Sequence, residues 1–295
     1  MRRAIGVATA EQIVTGLVEE RRLAGDLRHY REDSESLLSM PPGDIASCLA
    51  REIKAVAGDT GVDAIGIGLP GIVREGCVEE SPNLRQLKGI PMCDLMSKAL
   101  HEVGIVAPVF IYNDADAVAA GLAATRDLLD RLIRVWTLGN GIGFGVYPWS
   151  EGIWEGGHMV VSLDPREQFC ACGGVGHLEG FMGQRAMRLR FLDMEPEEVF
   201  ENARGGDARC AGFVKMWHRA LAAATANTIH LDGPGKFFVT GFNARHLDLN
   251  LLNQHLQEMV KMSPLQGYVF EVVPSEDNVA VIGAAVNALR AVFPA

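Results

Sequence analysis

Pro108-Val109-Phe110-Ile111-Tyr112 runs directly into Asn113-Asp114-Ala115-Asp116. Residues 108–112 are an apolar, aromatic and β-branched run of strand length. Residues 114–129 are alanine-rich, so the spacing predicts a buried strand followed by a helix. The same alternation extends upstream. Ala64–Leu69 is a second buried-strand pattern and stops at Pro70-Gly71. Residues 44–57 follow Pro41-Pro42-Gly43 and place Ile45, Leu49, Ile53 and Val56 at helical spacing. Residues 93–103 read as a further helix. The opening reads as a hairpin of Arg3–Ala8 and Ile13–Glu19, with 23–30 as a third strand. Strands alternating with helices specify an α/β protein with parallel strands.

Downstream the pattern starts over. Residues 134–138 and Lys236–Thr240 read as strands, 213–231 as a long helix, 247–262 as another, and 269–273 as a late strand. The resulting division is an N-terminal α/β domain over 1–115, completed by a terminal helix over 280–295, and a C-terminal α/β domain over 116–279 that carries a candidate zinc-binding loop. A chain of 295 residues accommodates two such domains.

Composition narrows the function. With 48% hydrophobic residues the chain can build a large core. A formal net charge of -10 disfavours nucleic acid as a partner, which demands a basic face. It leaves anionic substrates open, because a local site can oppose the global sign. No run of 18 apolar residues suggests a membrane span. Met1-Arg2-Arg3-Ala4-Ile5-Gly6 enters a strand without the apolar core of a signal peptide, so the expected location is cytoplasmic. Of six cysteines only Cys170 and Cys172 cluster, which argues against a disulfide framework.

Four constellations carry candidate chemistry. Asn113-Asp114 sits where a strand's carboxyl end meets a helix N-terminus, a ligand-binding position in open α/β sheets. A carboxylate there can take a proton from a hydroxyl; the same residues also suit a plain N-cap. Glu155-Gly156-Gly157-His158 and Cys170-Ala171-Cys172, with His177 beyond, supply four N/S ligands of the kind zinc prefers. The alternative is two buried thiols and two ordinary histidines. Thr137-Leu138-Gly139-Asn140-Gly141-Ile142-Gly143-Phe144-Gly145 spaces glycines for close approach of a phosphate, or for a hairpin turn. Thr240-Gly241 is a strand ending in a glycine turn that could approach a nucleotide. Asp116, Glu151 and the acidic run 195–201 read as solvated surface. Trp136, Trp149, Trp154 and Trp217 read as packing residues, with Trp154 near enough to Glu155 to border a ligand.

In order and spacing these segments resemble the ROK family (repressors, open reading frames and kinases), over most of the chain. Gly68-Leu69-Pro70-Gly71-Ile72-Val73 is similar to the family's G-x-P-G-x-V turn, and Asn83-Leu84 to its asparagine–leucine sugar contact. Asn113-Asp114-Ala115 is similar to its catalytic segment, and residues 137–145 to its second phosphate segment. Residues 155–158 and 170–179 are similar to its sugar and zinc segments. The resemblance implies a two-domain actin-like ATPase (ribonuclease H-like) fold with a cleft between the domains. It implies ATP-dependent phosphoryl transfer to a hexose or amino-hexose, with Asp114 as general base and Mg2+ accompanying ATP. Gly71, Asn83, Asn113, Asp114, Glu155, His158 and Glu179 would meet the sugar. Thr137, Gly139, Asn140, Gly141 and Gly241 would meet the nucleotide. His158, Cys170, Cys172 and His177 would hold a structural zinc. A homodimer is a further expectation.

Three departures bear on this. His177 replaces a third cysteine, and Asn140 replaces a common threonine. The third concerns the first phosphate turn, D-x-G-G-T in the family's kinases, which here is Ala8-Thr9-Ala10-Glu11-Gln12. It has lost the aspartate and both glycines, and Glu11 would set a negative charge near phosphate oxygens. Each loss could cost a few kcal/mol of nucleotide binding, on the order of a hydrogen bond or a close charge pair. The competing reading is therefore a non-catalytic sugar-binding relative, a sensor or regulator. A DNA-binding repressor is disfavoured by charge and by a start at the first strand. A zinc hydrolase is disfavoured because four protein ligands leave no open metal position.

Overall fold

A computed structural model of the protein describes residues 2–9, 12–30, 37–58, 61–150, 152 and 154–294. Ala10 and Glu11 of the first turn, and Glu151, lie outside the described residues. The chain forms two compact units. The first comprises Met1–Ile133, Gly145–Ile153 and Glu276–Ala295, the second Arg134–Phe144 and Trp154–Ser275.

The first unit opens with β1 (Arg3–Ala8), β2 (Ile13–Glu19), β3 (Arg22–Leu23) and β4 (Arg28–Tyr30). Helix α1 (Pro42–Ala57), β5 (Ala64–Leu69), a ribbon of β6 (Ile72–Arg74) and β7 (Cys77–Glu80), α2 (Met92–Glu102), β8 (Val109–Asn113) and α3 (Asp114–Thr125) follow. The strand expected over 23–30 is two short pieces, both paired with β2, with Gly25 at φ +113° between them. That positive φ, open to glycine, breaks the ladder. The sheet order is β3-β2-β1-β5-β8, with β1, β5 and β8 parallel and β1-β2 antiparallel.

Alternation along β1 and β5 sends Ile5, Val7, Ile65 and Ile67 to one face, against Ile45, Leu49 and Ile53 of α1 and Met96 and Leu100 of α2. The opposite face carries Ala4, Gly6, Ala64 and Gly66 beneath the final helix, α9 below. Gly6 and Gly66 admit that helix at backbone distance. A Cβ on Gly66 would fall 1.9 Å from the Ala284 carbonyl oxygen, and one on Gly6 1.8 Å from that of Val281.

Next come β9 (Ile133–Leu138), β10 (Ile142–Tyr147), α4 (Glu179–Met182), α5 (Gln184–Arg190), α6 (Pro196–Arg204), α7 (Ala208–Asp232), β11 (Lys236–Thr240), α8 (Leu249–Met259) and β12 (Val269–Val272). These strands form a sheet of order β10-β9-β11-β12. Helix α9 (Asp277–Val292) returns to the first unit and packs on α3, where Gly283 lies against the Ala117 carbonyl and Gly121 against that of Val279. Helix α3 thus belongs with the first unit by packing, beyond the boundary at residue 115 read from the sequence. It ends at Thr125 rather than 129, where Asp127 adopts φ +53°. The sequence downstream of Leu178, read as helical, forms α4, α5 and α6, the last opened by a Glu195–Glu198 capping box, whereas the length of the strand over 142–147 was not anticipated.

Candidate functional site

In the first unit, the register Leu69↔Asn113 sets the Pro70-Gly71 turn beside the end of β8. Asn113 caps α3 through Oδ1, which accepts from the Ala115 N–H at 2.8 Å, while its Nδ2 donates to the Gly71 carbonyl at 2.8 Å. The cap reading of Asn113 is therefore realised, and it leaves Asp114 as the first residue inside the helix. Asp114 is half-buried and its Oδ1 accepts from the Ala115 N–H at 2.9 Å. Burial raises its carboxyl above the ordinary aspartate range, and the Ala115 N–H opposes this only in part. Gly71 has φ +125°, and a Cβ there would meet the Glu80 carbonyl oxygen at 2.3 Å. Buried Ser81 donates to the Pro70 carbonyl at 2.6 Å and accepts from the Leu84 N–H at 3.1 Å. It thereby ties the Gly71 turn to the loop that presents the exposed Asn83.

Asp116 corrects the sequence reading. It is 6% exposed, and its Oδ1 accepts from the Val146 N–H at 2.9 Å. A buried carboxylate needs such a partner. It fastens 145–147 to the first turn of α3, where Gly145 leaves no room for a side chain against the Ala115 carbonyl. The tryptophans divide: Trp136 and Trp217 are fully buried, whereas Trp149 and Trp154 are 39% and 41% exposed. Trp149 lies edge-on to Tyr112.

The turn after β1, expected from the resemblance to correspond to a phosphate turn, has internal partners among its described residues. Buried Thr9 donates its hydroxyl to the Gly68 carbonyl at 2.9 Å. Gln12 Nε2 lies 3.2 Å from His29 Nδ1 and donates to Asp277 at 3.4 Å. Ala8, Thr9 and Gln12 offer no carboxylate.

In the second unit, Gly139-Asn140-Gly141 is the turn between β9 and β10, closed by Gly139 N–H to the Gly141 carbonyl at 3.0 Å. The hairpin and the phosphate readings thus fall on the same three residues. The Gly139 carbonyl accepts from the Gln184 N–H at 3.2 Å and from Asn243 Nδ2 at 3.4 Å. Gly241, at φ +95°, passes so close to β9 that a Cβ would lie 2.4 Å from the Leu138 carbonyl oxygen. The half-buried Thr137, Gly139, Gly141 and Gly241 are therefore neighbours at one end of this sheet, with exposed Asn140 at the tip of the turn. Buried Thr240 Oγ1, Asn243 Oδ1 and Gln184 Oε1 lack hydrogen-bond partners here. Gln184 and Asn243 went unnoticed in the sequence, since only the fold brings α5 to this turn.

His158, Cys170, Cys172 and His177 converge, with their ligand atoms all within 4.8 Å of one another. Five of the pairwise separations between His158 Nδ1, His177 Nδ1 and the two Sγ atoms run from 3.2 to 3.6 Å. A tetrahedron on zinc bonds of about 2.0–2.3 Å has edges of roughly 3.3–3.8 Å. The donor set and its spacing therefore fit one tetrahedral cation. Without a cation, burial pushes the Cys170 thiol up to about 12 and pulls His177 below the usual imidazole value. A bound divalent ion reverses the thiol's preference outright. Glu155 Oε2 lies 3.6 Å from His158 Nε2, the ring nitrogen turned away from the cluster. Glu179 spans two segments: Oε2 accepts from the Ile142 N–H at 3.2 Å, and Cys170 Sγ donates to Oε1 at 3.4 Å.

Two α/β units of this construction belong to an actin-like ATPase fold. In superposition the ROK hexokinase from Thermus thermophilus covers 99% of this chain and 100% of its own, with a TM-score of 0.80 at 21% identity. The chain belongs to the ROK family, whose model matches residues 26–291. It is 28% identical over 258 residues to a glucokinase of Pyrobaculum calidifontis, covering 81% of this chain and 83% of the relative. It is also 23% identical over 289 residues to a xylose repressor of Caldicellulosiruptor bescii, covering 85% and 68%. Among the described residues no helix is long and apolar enough to cross a membrane.

Proposed function

We propose that this chain is a hexose kinase in which Asp114 is the general base. The observation that carries the reading is Asp114 itself, a half-buried carboxylate at the β8–α3 junction whose proton affinity is raised by burial. A base works best when its pKa approaches the operating pH. Asp114 takes the proton of a sugar hydroxyl as that oxygen bonds to the γ-phosphorus of ATP. The bond from phosphorus to the bridging oxygen breaks, and ADP departs. Asn113 and Asn83 orient the acceptor sugar, with the Gly71 turn fixed beneath them. Glu155, His158 and Glu179 of the second unit serve as further hexose contacts. Thr137, Gly139, Asn140, Gly141 and Gly241 offer the nucleotide a close approach to backbone. Magnesium would accompany ATP and supply neutralisation of the phosphate charge. A cytoplasmic homodimer completes the reading; light scattering tests the dimer.

The second reading, a sugar-binding regulator that has lost ATP, is favoured by one observation. Thr9 spends its hydroxyl on the Gly68 carbonyl, in a turn whose aspartate position is Ala8. Calorimetric titration of MgATP in the presence of a hexose mixture, run beside a coupled ADP-release assay, separates the two. Heat of nucleotide binding and sugar-dependent ADP release support the kinase. Hexose binding without either establishes the regulator.

The metal reading assigns a structural zinc to His158, Cys170, Cys172 and His177, with the tetrahedral fit of the four ligand atoms in its favour. Such an ion would lock residues 158–179 and so hold His158 and Glu179 in place. Elemental analysis is expected to find one zinc per chain and essentially none in a Cys170→Ser/Cys172→Ser variant. A zinc-free wild type would retire this assignment.

A further inference from the structure

Arg190 closes α5, one of three arginines in a seven-residue helix, and it alone of the three has its side chain buried to about 10% exposure. The hydrogen-bond partners of its guanidinium and its two nearest rings flank the segments that supply the candidate metal ligands, while Phe213 of α7 lies farther off, its ring centroid 6.0 Å away. Nε and Nη2 donate to the Gly180 carbonyl at 3.1 and 2.8 Å. Nη1 donates to Glu167 Oε1 at 3.4 Å, and Nη2 pairs with the other oxygen of that carboxylate. The planar face lies 4.0 Å from the Phe169 ring centroid and 4.7 Å from that of Phe181. Phe169 immediately precedes Cys170, and Gly180 follows His177 by three residues. Glu167 also accepts, through its backbone carbonyl, from the Gly176 N–H at 2.7 Å, next to His177.

These contacts have a common consequence. Cys170 and Cys172 come from one strand of irregular backbone and His177 from another, and irregular backbone holds its geometry only where something grips it. The guanidinium grips both sides. A planar fork of five donors can satisfy a carboxylate and a carbonyl while stacking on a ring. An ammonium group or an apolar side chain can do at most one of these.

We infer that Arg190 is a positioning residue for the metal centre, presetting Cys170 and His177 for the ion without touching it. This rests on the metal reading proposed above. Partners beyond the ligands commonly change metal affinity by about 10–100-fold when removed.

The test is zinc affinity, measured on the full-length metal-free chain by competition with a chromophoric chelator and compared with thermal stability of the same metal-free samples. Arg190→Met is expected to weaken zinc by about 10–100-fold and Arg190→Lys by an intermediate factor. Leu252→Ala, which opens a cavity on α8 away from the loop, is expected to lower stability and leave zinc affinity unchanged. Should Arg190→Met not fold, Glu167→Gln carries the same test with a smaller, severalfold loss expected. Wild-type affinity in the Arg190 and Glu167 variants overturns the inference, as does an equal loss in Leu252→Ala. A wild type that takes up no zinc overturns it together with the metal reading, and is told apart because the failure precedes any substitution.

Discussion

An Asp114→Asn protein is expected to bind hexose as the parent does while its sugar-dependent ADP release falls by about 10²–10⁴-fold, the usual worth of a positioned general base. The asparagine is isosteric, and its Oδ1 can still accept the Ala115 N–H that Asp114 accepts at 2.9 Å. It cannot take a proton. Two further readouts separate lost chemistry from lost structure. The folded state raises the Asp114 carboxyl through burial, so folding binds its proton more tightly than the unfolded chain does. The ionised form therefore costs stability, and that cost develops as pH rises from the unfolded aspartate value through the raised folded one. Asn removes the cost, so the variant's Tm at neutral pH is expected to equal or exceed that of the parent. Activity runs the other way. Below the raised pKa the base is protonated, and kcat/KM of the parent is expected to fall on the acid side at a pH above the ordinary aspartate range. The limb should be absent from the variant's residual rate. A variant with near-parental turnover would remove Asp114 from the chemistry and leave it as a helix-start residue beside the Asn113 cap.

The β8–α3 junction could be read in advance because the information is local. An apolar strand, a capping asparagine and an alanine-rich helix lie within a few turns of one another in sequence. The convergence of two thiols and two imidazoles was legible for a similar reason, since Cys170, Cys172 and His177 fall within eight residues and only His158 must return from a distance. Asp116 was misread because its partner, the Val146 N–H, is thirty residues away and belongs to a strand that the glycine spacing concealed. A carboxylate two residues past a cap looks solvated until something is packed over it. Gln184 and Asn243 at the Gly139 turn, and Arg190 over Phe169, depend on α5 and the turn after β11 arriving at the same place. No local pattern encodes that arrival. The first phosphate turn shows the complementary case. The departure of Ala8-Thr9-Ala10-Glu11-Gln12 from the family pattern was read from the resemblance alone and needed no fold to be noticed.

The glycines of β1 and β5 were part of a recognised strand pattern, yet their purpose lies in what covers them. Gly66→Ala is expected to destabilise the first unit by about 3 kcal/mol or more, at the upper end of overpacking costs. For a unit of this size that corresponds to a fall in Tm of roughly 6–12 °C. The added methyl would sit 1.9 Å from the Ala284 carbonyl oxygen and 2.4 Å from its carbon. These are backbone atoms in the middle of α9, so no rotamer change relieves the contact. The helix as a whole must lift from the sheet, and lifting it loosens Val281, Ile282 and Ala285 from Ala4 and Ala64. Gly43→Ala makes the control: a Cβ there meets nothing within 4 Å, and the residue lies in the first turn of α1. That substitution is expected to be neutral or stabilising, because alanine loses less backbone freedom on folding than glycine. Thermal melts of the two variants measure the difference directly. If Gly66→Ala melts with the parent, α9 is not seated on the sheet at backbone distance, and the small residues of β1 and β5 need another explanation.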